Sequence, residues 1–121
     1  IAAISLIVAG VLIMNVMLVA VSQRTKEIGL LRALGAKQRH IVALFLTEAV
    51  YLSFLGALLG LILGNVGSTL MTLAFPFLDF TAPTWAMTAA VGIAVTSGLL
   101  FSILPARRAA RLDPVLALAG R

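Results

Sequence analysis

Residues 23–40 read QRTKEIGLLRALGAKQRH. Five of the nine Lys and Arg residues fall here (Arg24, Lys26, Arg32, Lys37 and Arg39), with one acid, Glu27. Around this segment the charges thin out: residues 1–23, 49–78 and 80–106 carry none. Each of those runs exceeds the roughly 20 apolar residues that cross about 30 Å of hydrocarbon as a helix. Only 11% of the chain is charged, against roughly a quarter in an ordinary soluble domain. Three such runs in a soluble protein would need more covering surface than so short a chain can supply. The expected fold is all-α and integral to a membrane. It has three spans, at about 1–21, 41–73 and 84–104, with a short amphipathic cytoplasmic helix between the first and second.

The basic residues orient the spans. Five lie in the 22–40 segment, none lies in 74–83, and Arg107, Arg108, Arg111 and Arg121 follow the third span. Cytoplasmic connections collect Lys and Arg, so 22–40 and the tail 105–121 are placed in the cytoplasm and 74–83 outside. Pro76 and Pro83 bracket the outer loop, where Asp79 is the lone charge, and Trp85 is placed as an interfacial anchor. Pro105 marks the inner end of the third span, unless a kinked helix runs on through it. The net charge of +5 does not indicate nucleic acid, because the basic residues sit beside apolar spans without aromatic interleaving; anionic lipid is the expected counter-charge. With no cysteine, disulfides and thiolate metal sites are excluded. Ile1 already lies inside an apolar run with no initiating Met, so a piece of a longer chain is expected rather than a signal peptide.

The second span is long, about 50 Å as a helix over 41–73. Either it tilts, or its first turns project as a stalk with Glu48 near the interface. No basic partner for Glu48 is evident nearby. Ser53, Gly56, Gly60 and Gly64 recur on one helical face and predict close packing against another helix, from span one, span three or a second subunit. Asn65 beside that face predicts an interhelical hydrogen bond. In the cytoplasmic segment, Ile28, Leu30, Leu31, Ala33 and Leu34 form a broad apolar side, and Gly35 is placed to end the helix. Two roles stay open for it: orientation with membrane contact, or docking onto a cytoplasmic partner.

Two motifs carry a resemblance. Residues 21–64, VSQRTKEIGLLRALGAKQRHIVALFLTEAVYLSFLGALLGLILG, and 105–121, PARRAARLDPVLALAGR, resemble the FtsX-like permease family, which includes the MacB-type ABC transporter membrane subunits. The tail departs from the family pattern in Ala119-Gly120-Arg121 after Leu118. The resemblance implies the last three of four spans, with a further span and a periplasmic domain preceding Ile1. It implies that Arg24 to Ala36 is a coupling segment, in which Glu27, Arg32 and Gly35 touch or position an ATPase. Ile28, Leu31 and Leu34 would fill its apolar groove or brace the permease. Glu48, Arg107, Arg108 and Arg111 would lie at the inner interface.

The only histidine, His40, excludes HExxH and Ser/His/Asp constellations, and 35–37 lacks the features of a phosphate loop. No catalytic residue and no cofactor are expected in this chain; ATP and Mg would sit on the associated ABC ATPase, separate or fused. Expected partners are that ATPase, a second permease subunit (identical or not), periplasmic or outer-membrane components, and the bilayer of a bacterial cytoplasmic membrane. Two alternatives remain: a signalling permease acting on periplasmic cell-wall enzymes, and a small ATPase-independent membrane oligomer.

Overall fold

The computed structural model describes residues 1–78, 80–113 and 115, so Asp79, Pro114 and the tail 116–121 with Arg121 lie outside the described residues. Four helices follow in order: α1 (Ala2–Gln23), α2 (Thr25–Ala33), α3 (Gln38–Ala74) and α4 (Thr84–Ala110). There is no strand among the described residues. Three of the four helices, α1, α3 and α4, are long and apolar enough to cross a membrane. Their flanks leave many Leu, Ile, Val and Phe side chains uncovered. Those side chains suit hydrocarbon as solvent, because every backbone group inside a helix is already paired.

The helices extend beyond the expected spans. α3 has 37 residues, about 55 Å at 1.5 Å per residue. α4 runs through Pro105 to Ala110 instead of stopping before the proline. The ring removes one amide donor and thereby one helical bond to the carbonyl four residues back. Pro105 is nevertheless fully buried, and packing on both sides holds the helix together there. Pro83 caps the start of α4 in an extended conformation, and Trp85 in its first turn is exposed, as an interfacial anchor requires. Asp113 Oδ1 accepts from the Val115 amide just beyond α4.

α4 is the shared helix, packing against both α3 and α1, while α2 touches α1 and α4. The closest approaches are made at single glycines. A Cβ on Gly10 of α1 would fall inside the Phe101 ring, and one on Gly98 of α4 would fall on the Ser53 hydroxyl. At Gly56, Gly60 and Gly64, by contrast, a Cβ would meet nothing within 4 Å. Ser53 therefore packs within the chain, but the glycines that follow it do not use span one or span three as their partner. Asn65 also departs from expectation: its Nδ2 donates to Leu61 O one turn back in the same helix.

The buried core lies at one end. Met17 and Val21 of α1, Ile28 of α2, Ile41, Phe45 and Ala49 of α3, and Ala106, Ala109 and Ala110 of α4 form one cluster. On α4 the buried positions 98, 102, 105, 106, 109 and 110 trace one helical face. The alanines there let three other helices close in. The same turns present Arg107, Arg108 and Arg111 outward.

Candidate functional site

The 22–40 segment is a rigid corner. α1 gives way to α2 at the single residue Arg24, whose amide still bonds Ala20 O at 3.1 Å. Thr25 then turns its hydroxyl back onto Val21 O and Ser22 O. α2 ends at a glycine-dependent cap. Gly35 has φ 94, its amide bonds Arg32 O, and the Ala36 amide bonds Leu31 O, both at 3.0 Å. That pair of bonds defines a Schellman motif. The left-handed backbone at its centre costs a side-chain-bearing residue roughly 1–2 kcal/mol.

The corner is tied to the spans at two points. Arg24 Nη1 lies 3.4 Å from Glu48 Oε2, with side chains 49% and 33% exposed. Glu48 thus has a basic partner after all, supplied by the chain's reversal between α1 and α3. The pair ties the residue that follows α1 to Glu48 of α3. The second tie is Arg32, whose Nη1 donates to Ala110 O at 2.6 Å. Ala110 is the last residue of α4, and its carbonyl is one of those a helix end leaves without a partner. A guanidinium there satisfies the carbonyl and meets the negative end of the helix dipole. Arg32 is consequently turned inward onto the end of α4 and is half-buried there.

The apolar side expected for α2 is in fact two opposite faces. Ile28, 3% exposed, enters the core shared with the three long helices. Leu30, Leu31 and Leu34 are 53%, 43% and 77% exposed. With Glu27, also exposed, they fall at spacings of three and four and form one outward stripe. Glu27 makes no ion pair among the described residues. The stripe is apolar along its length and acidic at its start. Leu30 belongs to it as much as Leu31 and Leu34 do. Gly10 and Gly98, which no repeat marks, are the packing glycines that sequence spacing missed.

Residues 1–114 match the model of the FtsX-like permease C-terminal family. The chain belongs to that family. The permease is 52% identical over 122 residues to the macrolide export ATP-binding/permease protein MacB of Wolinella succinogenes. It is 49% identical over 118 residues to the pyoverdine export ATP-binding/permease protein PvdT of Pseudomonas putida. These alignments cover 99% and 98% of the permease chain and 18% of each relative. The chain thus spans under a fifth of the length of these curated relatives. In the permease, the outward stripe of α2 and the ties at Arg24 and Arg32 all fall within the matched residues.

Proposed function

We propose that this chain is the C-terminal transmembrane part of an ABC-type export permease and that α2 is where an ATPase delivers its motion. The observation that carries the proposal is the split of α2. One face is locked into the bundle by Ile28 and the Arg32–Ala110 bond, while the other offers Glu27, Leu30, Leu31 and Leu34, all exposed among the described residues. A membrane-orienting helix needs charge and an apolar face, but it has no need of a carboxylate at the head of that face. The relatives' names, ATP-binding/permease, support an ATPase in the same polypeptide. On this reading ATP and Mg bind there, α2 lies on the cytoplasmic side of the inner membrane, and the work done is export. The open faces of Gly60 and Gly64 are the surface for a second permease subunit, making the working unit a dimer.

The test uses the full-length protein in nanodiscs. Burying one leucine side chain is worth about 1.5–3 kcal/mol. Replacing Leu31 and Leu34 together by Asp is expected to abolish transport-coupled ATPase stimulation while the protein stays folded and membrane-inserted. Unchanged stimulation in that variant would refute the docking role of the stripe. Loss of membrane insertion instead would assign the leucines to the bilayer.

A further inference from the structure

The facing ends of α3 and α4 border an open cleft of about 450 Å³ that the coupling role leaves unused. Its polar wall is Gln38, Arg39, Arg107 and Arg111, and Val42 and Leu46 contribute its apolar wall. No carboxylate lines it among the described residues. The one ion pair among the described residues is Arg24–Glu48, so none of the three guanidinium groups is ion-paired among them. Asp113, two residues beyond Arg111, accepts from the Val115 amide and makes no ion pair with these arginines among the described residues. α3 starts here at Gln38 with no side-chain cap from Lys37, so its first-turn amides add a positive helix end beside the arginines, while the opposing carbonyl end of α4 is occupied at Ala110 by Arg32.

The apolar wall separates the possible ligands. Val42 and Leu46 lie one and two turns farther along α3 than Gln38, toward the membrane-spanning part. A free anion would use only the mouth of the pocket, whereas a phospholipid would use both walls. Basic pockets between transmembrane helices on the cytoplasmic side are the usual seats of anionic headgroups. We propose that this pocket binds an anionic glycerophospholipid, with its phosphate among Arg39, Arg107 and Arg111 and an acyl chain along Val42 and Leu46.

The experiment is native mass spectrometry of the full-length protein titrated with phosphatidylglycerol or phosphatidylethanolamine. Each arginine near an anionic headgroup contributes about fivefold in affinity. The Arg39→Gln/Arg111→Gln double variant is therefore expected to bind phosphatidylglycerol about 25-fold more weakly. Arg39→Lys/Arg111→Lys should restore most of that binding, which separates charge from folding. Lys26→Gln/Arg108→Gln, with the same change in net charge outside the pocket, should bind like wild type. Equal loss in both Gln doubles would overturn the proposal in favour of general surface attraction. So would displacement of phosphatidylglycerol from wild type by equimolar inorganic phosphate. Full lipid retention in the pocket double, with loss of ATPase association, would assign the arginines to a protein partner and equally overturn it.

Discussion

The Arg32–Ala110 bond gives the sharpest test of how α2 is held. The bond joins residues 78 apart in sequence, so it is a tertiary clamp and not part of the local helix. A hydrogen bond from a charged donor contributes about 1.5–3 kcal/mol, which corresponds to a factor of roughly 10 to 150 in an opening equilibrium. Replacing Arg32 by Met keeps most of the stem and removes the donor. The expected result is faster amide exchange across 28–34, by that factor, in the full-length protein in nanodiscs, because α2 then opens from the bundle more often. Arg32→Lys keeps a charge near the helix end but loses the planar fork, and should fall between wild type and Met. Exchange in α1 and in the middle of α3 should not change. If the Met variant exchanges at 28–34 within threefold of wild type, Arg32 does not clamp α2. The claim that pushing α2 moves α4 would then lose its physical basis.

Two further predictions concern glycines. Gly98→Val places atoms where Ser53 stands and should lower thermal stability in detergent by about 1–3 kcal/mol, whereas Gly60→Ala, with open space around it, should leave the monomer's midpoint within experimental error. Equal midpoints for the two variants would contradict the α3–α4 packing described. Gly35→Val must hold a β-branched residue at φ 94; about 1–2 kcal/mol of local destabilisation should show as faster exchange at the Gly35 and Ala36 amides, with Gly35→Asn clearly milder.

Much of the fold is legible in the sequence because hydrocarbon makes a simple demand. The charge-free runs declare three spans, and Gly35 declares a helix end by the backbone it permits. The departures have physical causes. A glycine register says that a backbone approach is allowed, not that any helix in this chain makes it, so Gly56, Gly60 and Gly64 misdirect attention from Gly10 and Gly98. The Arg24–Glu48 pair depends on two reversals, at Arg24 and at Gly35, and sequence distance hides it. Ile28 and Leu31 have similar side chains, so hydrophobicity cannot say which faces inward. That is settled by what stands opposite, namely the small face of Ala106, Ala109 and Ala110. The tail motif thereby gains a packing role that its arginines had obscured.

The position of the core bears on the proposed coupling. Because Met17, Ile28, Phe45 and Ala106 belong to one cluster, α2 cannot shift relative to one span without disturbing the ends of all three. Close-packed side chains resist small separations, since opening a gap of an ångström forfeits much of their contact energy. A load on Leu30, Leu31 and Leu34 would therefore displace the inner ends of α1, α3 and α4 together. Farther out, α1 and α3 are separated by a groove of about 420 Å³ lined by residues such as Leu6, Leu12, Leu52 and Gly56, with Ala94 and Ser97 of α4 also on its walls. Apolar walls with room between them can approach or part at small cost in lipid, whose tails are as apolar as the leucines they replace. On the proposed coupling, inner rigidity and outer slack together would convert a push at α2 into relative motion of α1 and α3 along this groove. Two cysteines, replacing Leu6 and Ala57 on the outer part of the groove walls, should accordingly crosslink at a rate that changes with nucleotide state in the full-length protein. A nucleotide-independent rate, alongside normal ATP turnover, would show that the spans move as a rigid block instead.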